Sequence, residues 1–118
     1  MKQLLVMLAA AFAVVVMTAR TETGDGKSLF EKRCSGCHSL DHDKEGPRLG
    51  GVYGRAAGSV ASFNYSDALK SSHITWDADT LEKWLAGPDK FVPESDMAFH
   101  VESATERSAI IAYLKEMR

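Results

Sequence analysis

The chain has only two cysteines, and both fall within one five-residue run, Cys34-Ser35-Gly36-Cys37-His38. Joined to each other they would enclose two residues and constrain almost nothing of an unfolded chain. Loop closure therefore does not explain the pair, and the histidine that follows suggests another use. C-x-x-C-H is the pattern by which a chain attaches haem covalently. The two thiols add to vinyl groups on adjacent pyrrole edges, and the imidazole of the next residue reaches the iron from one side. The end of a helix sets Cys37 and His38 together with Cys34 one turn back. Ser35 and Gly36 are small and leave the backbone free to lie close to a porphyrin.

Two other chemistries use paired cysteines. A zinc site needs four good ligands, and beyond the two thiolates only the scattered His42, His73 and His100 are on offer. A thioredoxin-like dithiol follows a strand in a βαβ setting, and no such pattern surrounds Cys34.

The N-terminus reads as an export segment. Met1-Lys2 is a short basic start, and Leu4 to Met17 is an unbroken apolar run. That run is short for a membrane span, which needs about 20 residues. Cleavage is expected near Thr18, Ala19 or Arg20, although Met17 is a poor residue at such a site; a retained anchor is the alternative. The organisation expected is thus a signal peptide over 1–19 and one domain over 20–118. Removing 1–19 takes away a single charge, Lys2, and leaves 13 basic against 16 acidic residues, a balance of −3. An acidic domain is a poor ligand for nucleic acid, which needs a basic footprint. A small domain also gains much from a large apolar cofactor at its centre.

Along the rest of the chain the periodicity is helical or absent. A first helix is expected after Asp25 or Gly26, with Phe30 and Cys34 four apart on one face. Leu40 to Ser62, punctuated by Gly46-Pro47, Gly50-Gly51, Gly54 and Gly58, reads as an ordered loop. Ser66 caps a short helix over Asp67–Ser72. Asp77 or Asp79 opens another, carrying Leu81, Trp84 and Leu85 and ended by Gly87-Pro88. A further loop runs through Pro93 to Val101. Ser103 with Glu106 forms a capping box before a last helix that shows Ile110, Tyr113, Leu114 and Met117 at i, i+3, i+4, i+7. No stretch alternates long enough to be a strand, so the class is all-α with long loops wrapped around one haem. Loops of that length need something to pack on.

An electron-transfer haem takes a sixth ligand, and a thioether there raises the potential. Met117 belongs to the apolar stripe of the last helix. Met97 lies in a loop between Asp96 and Ala98, and His100 is its rival three residues on. From the residues alone, a loop methionine is as well read as a gap filler as a ligand.

Beyond the haem motif, the residues resemble mitochondrial-type (class I) cytochrome c over nearly all of the chain after the export segment. Gly26 and Phe30 look like the family's N-terminal helix, which packs on the C-terminal one. Gly46-Pro47-Arg48-Leu49 followed by Gly51-Val52-Tyr53-Gly54-Arg55 is similar to the family's G-P-x-L-x-G-x-x-G-R segment. Phe63-Asn64-Tyr65-Ser66-Asp67-Ala68, Ile74-Thr75-Trp76, then Leu81, Leu85, Pro88, Phe91, Pro93, Met97 and Phe99 follow the family order. Thr105-Glu106-Arg107 and Ile111-Ala112-Tyr113-Leu114-Lys115 look like its last helix. The loop after His38 is shorter.

The resemblance implies a small cytochrome c fold around one haem c bound through Cys34 and Cys37. It implies that His38 and Met97 hold the iron from opposite sides, and that the Pro47 carbonyl orients His38. It places Arg55, Tyr65, Trp76 and Ser95 around the haem propionates, where a buried carboxylate needs charge-assisted donors. It implies a single-electron carrier between redox protein donors and acceptors, with no small-molecule substrate and no enzymatic role; with the export segment, the expectation is a monomer in the periplasm. Membrane contact is expected only if the N-terminal segment is retained. The rival function is a peroxidase-like or gas-binding haem protein with an open iron position. Three departures stand out. Trp84 replaces a family Tyr whose hydroxyl approaches the methionine sulfur. Leu69 replaces an Asn tied to an internal water. Asp89, Glu94 and Asp96 lie near where the family often has lysines around the exposed haem edge, so a partner tuned for lysines would fit poorly.

Overall fold

A computed structural model describes residues 9–15 and 22–118. Five helices occur among them: α1 (Glu22–Arg33), α2 (Asp67–Lys70), α3 (Ala78–Ala86), α4 (Pro88–Phe91) and α5 (Ala104–Glu116). Among the described residues no strand is formed; one isolated antiparallel bridge joins Ala56 to Thr75. Most of the expected signal peptide (1–8 and 16–19) lies outside the described residues. Residues 9–15 have no regular structure, with Phe12, Val14 and Val15 fully open to solvent.

The frame is the pair α1 and α5. Gly26 faces α5 so closely that a Cβ there would lie 2.3 Å from the Ala109 carbonyl oxygen and 2.7 Å from Tyr113 Cβ. Phe30 packs on Tyr113 one turn further on, ring centroids 5.5 Å apart. The helix therefore starts earlier than expected and runs through Gly26. A glycine costs a free helix about 1 kcal/mol, but here it permits a crossing that no side chain would.

Each later helix is fixed by its first turn. Ser66 caps α2 by accepting from the Leu69 N–H, and α2 stops at Lys70, short of the expected Ser72. Asp77 caps α3 in a reciprocal box with Thr80. Gly87 closes α3 and opens α4, with Pro88 at the first helical position. The Gly87-Pro88 pair therefore ends one helix and starts another, which sequence punctuation alone does not distinguish. Ser103 accepts from the Glu106 N–H at the head of α5, but the Glu106 carboxylate turns to Arg33 on α1, 3.3 Å away. Only half of the expected capping box is used for capping.

The core gathers Phe30, Val52, Trp76, Leu81, Trp84, Leu85, Val101, Ile110 and Leu114, with Ile110 wholly enclosed. Cys34, Leu40, Leu49, Leu69, Phe91 and Met97 pack on it while keeping part of their surface open. Among the described residues, no helix is long and apolar enough to cross a membrane.

Candidate haem site

The cysteine motif continues the winding of α1. The Cys34 N–H bonds the Phe30 carbonyl at 2.8 Å, and the Cys37 and His38 N–H groups both turn back to Cys34, at 3.2 and 2.9 Å. The two thiols are unbonded, Cys34 half-buried and Cys37 exposed. Burial, helped by the neighbouring Cys37, pushes the Cys34 thiol up to about 11. A redox dithiol needs the opposite shift. Nor do three or more histidine, cysteine or acidic side chains gather anywhere among the described residues in a way that could hold an ion. A Cβ on Gly36 would meet no protein atom, so packing within the chain does not demand glycine there.

His38 is held on two sides. Its Nδ1 lies 2.8 Å from the Pro47 carbonyl oxygen. A carbonyl only accepts, so Nδ1 carries the proton and Nε2 keeps its lone pair. Gly46 lies flat against the ring: a Cβ would stand 2.2 Å from Cε1. The segment is pinned there by Gly46 N–H to Cys37 O (2.8 Å), Leu49 N–H to Ser39 O (2.8 Å) and Gly50 N–H to Leu40 O (2.9 Å). The imidazole titrates below its usual range. Burial is the main cause, opposed by the Pro47 bond and reinforced by Arg55 and Lys44. A neutral imidazole with a free Nε2 is the form that binds metal.

Of the polar residues expected near the propionates, Arg55 and Trp76 are joined through their backbones, and Ser95 lies apart in the Met97 loop. Arg55 is half-buried and donates to the carbonyls of Arg48 (2.7 Å) and Gly50 (3.4 Å). Burial lowers its pKa and Arg48 adds to the shift, while Tyr65 and, less strongly, the Asp43 carboxylate oppose it. No carboxylate pairs with it among the described residues. The Tyr65 hydroxyl accepts from the Val60 N–H at 3.1 Å, which leaves its own proton to give. Trp76 is buried, its backbone paired to Arg55 and Gly54 (2.9 and 2.6 Å). Ser95 Oγ is fully buried and has no hydrogen-bond partner. A buried hydroxyl without a partner is costly, and a half-buried guanidinium that no carboxylate meets directly is incompletely compensated. Each is the kind of donor that a group bringing carboxylates of its own, as haem does, would satisfy.

The candidate ligands differ in burial and contacts. Met97 is half-buried against the core. His100 is about half exposed and lies 3.6 Å from Glu102. Met117 caps the end of α5 and packs on the core, its carbonyl taken by the Gly51 N–H at 2.7 Å. Trp84 is buried with its ring centroid 5.4 Å from that of Trp76. Arg107 and Glu82, joined at 2.6 Å, brace the loop that carries Met97. They are 25 positions apart, so nothing local in the sequence marks the pair.

Residues 24–118 match the family model described as cytochrome c. The chain belongs to the cytochrome c family. It is 43% identical over 95 residues to the cytochrome c of Gibberella zeae, spanning 77% of this chain and 90% of that one. It is also 43% identical over 96 residues to the cytochrome c of Euglena viridis, spanning 79% and 94%. Among solved structures it is similar to cytochrome cH from Methylobacterium extorquens, with 39% identity, a TM-score of 0.77, and 81% and 99% of the two chains covered. The fold is the small all-α cytochrome c fold. As a cytochrome c, the chain carries haem c covalently on Cys34 and Cys37 and serves as an electron carrier acting with redox protein partners. Proteins of this family are in general carriers rather than enzymes.

Proposed function

We propose that His38 through Nε2 and Met97 through Sδ would hold the haem iron, so that the protein would pass electrons without binding a substrate there. The observation that carries this reading is the His38–Pro47 hydrogen bond, which fixes the imidazole with Nε2 free directly after the paired thiols. Further support comes from Met97, half-buried against the core, while His100 is engaged at the surface and Met117 at the end of α5. When bound, the haem supplies a one-electron iron couple whose potential a thioether ligand raises. The chain's own residues do the rest. The apolar shell excludes water, and Arg55, Tyr65, Trp76 and Ser95 supply donors for the propionates.

The visible spectrum of the ferric protein tests the ligand set. A weak band at the red end reports sulfur on iron, and Met97→Ala is expected to abolish it. Rapid cyanide or peroxide binding at neutral pH in the unsubstituted protein would instead favour a haem enzyme or gas-binding protein.

The same reading extends to location and partners. Residues 1–19 act as an export signal, residues 20–118 are the working domain, and the protein acts in the periplasm as a monomer. The unbroken apolar run in the sequence and the exposure of Phe12, Val14 and Val15, which the domain leaves uncovered, support export. The intact mass of the secreted protein tests it: a species that begins near Arg20 and carries one haem is expected, and a full-length species would mean a retained anchor. Partners bear a basic docking face, because exposed Asp89, Glu94, Asp96 and Glu102 surround the Met97 loop with only Lys90 opposing them.

A further inference from the structure

The loop that carries Met97 is held at two points and free between them. On the upstream side the Ser95 N–H bonds Val92 O at 3.2 Å, after a turn in which Glu94 takes a left-handed φ of 69°. On the downstream side the Val101 N–H bonds Leu85 O at 2.8 Å. From Asp96 to His100, no backbone hydrogen bond is made among the described residues. No backbone bond between the anchors fixes where the Met97 side chain stands; its packing on the core and the two anchors do so.

One side chain reinforces the downstream anchor. Arg107, on the first turns of α5, is largely buried, with 13% of its side chain exposed. It donates from one terminal nitrogen to the carbonyls of Val101 (2.7 Å) and Glu102 (2.8 Å), and from Nε to Glu82 of α3 at 2.6 Å. Three segments, the loop end, α3 and α5, thus meet on one guanidinium. Its planar fork can serve all three at once, which an ammonium on a flexible stem cannot. Glu82 supplies the counter-charge that makes burying it tolerable.

We infer that Arg107 is a positioning residue for iron ligation: through Val101 and Glu102 it sets how firmly the loop holds Met97 on the metal. This rests on the reading of Met97 as the sixth ligand. Hydrogen bonds to a charged group are the strong class, so removing two of them releases the loop measurably.

Competition by added imidazole for the ferric iron of the haem-loaded protein measures that hold, because imidazole enters only when the sulfur leaves. Arg107→Met is expected to bind imidazole about tenfold more tightly than the parent protein. In a Met97→Ala background the same substitution is expected to change nothing, since no methionine remains to be released. Equal affinity in Arg107→Met and parent overturns the inference. So does an equal gain with and without Met97, which would mark a merely structural residue. Arg107→Lys keeps the charge but not the fork, and it decides the matter if the Met variant does not fold. It should tighten imidazole binding, and unchanged affinity overturns the inference. The underlying reading fails separately: Met97→Ala alone would then leave imidazole affinity where it was.

Discussion

Gly46 has no side chain because the imidazole occupies that space. A methyl group there would stand 2.2 Å from His38 Cε1 and 2.5 Å from Nδ1, well inside contact distance. Gly46→Ala must push the ring away from the Pro47 carbonyl or lift the loop from Cys37. A loss of about 1–3 kcal/mol in stability is expected, the usual cost of overpacking. Denaturant titration of the haem-loaded protein checks it, and a disturbed ferric spectrum should accompany the loss. At this scale the sequence is unevenly readable. Cys34, Cys37 and His38 declare themselves, because their chemistry needs neighbours in sequence. Ser95 and Arg55 do not: a loop serine and a loop arginine gain meaning only from surroundings folded in from elsewhere, and family resemblance alone singles them out. Arg107 goes further, since both its partners and its consequence lie outside its own helix.

Between elements, the closest approach is at Gly26. Gly26→Ala would improve the propensity of α1, yet its methyl would meet Ala109 O at 2.3 Å. The crossing dominates, and the variant is expected to be less stable by about 1–3 kcal/mol, read as a lower thermal midpoint. A rise in midpoint would mean that the two helices do not approach so closely. Propensity explains why the start of α1 was expected too late, since a local pattern penalises the very glycine that the tertiary contact requires. The same holds for α4, four residues long and hidden behind a pair that reads as a stop signal. The cap of α3 is readable because it is local. Hydrogen bonds from the Thr80 backbone and side chain, in that order, hold the Asp77 carboxyl below its ordinary 3.8. A depressed folded-state pKa contributes stability above the unfolded value, and that contribution is lost as pH falls through the folded one. Acid titration should therefore cost the parent protein this contribution below about pH 4, while Asp77→Asn should show a flatter profile over the same range.

For the molecule as a whole, charge decides whom it meets. The segment from Pro88 to Glu102 turns four carboxylates outward against Lys90, with no burial to strengthen them. Such fields act through encounter rates and fade over a screening length of about 10 Å at 0.1 M salt. Electron transfer to a redox protein with a lysine-rich docking face is expected to slow as salt is added. Transfer to one with an acidic face should quicken. Stopped-flow rates at several ionic strengths separate the two, and rates indifferent to salt for both partners would remove the acidic segment from any part in docking. The all-α class and the single haem are legible because one motif and several helix periods agree. The paths of the long loops are not, because they follow contacts to side chains far along the chain.

The mutual packing of α1 and α5 has a consequence for how the molecule is made. Arg33 and Glu106, which tie the two helices together, are 73 residues apart. While a nascent chain has emerged only as far as α4, its cysteine motif hangs on a helix that still lacks α5, the helix it packs against, and short lone helices are marginal in water. The thiols thus stay within reach of any machinery that must work on them, until the arrival of α5 shuts the structure around the finished product.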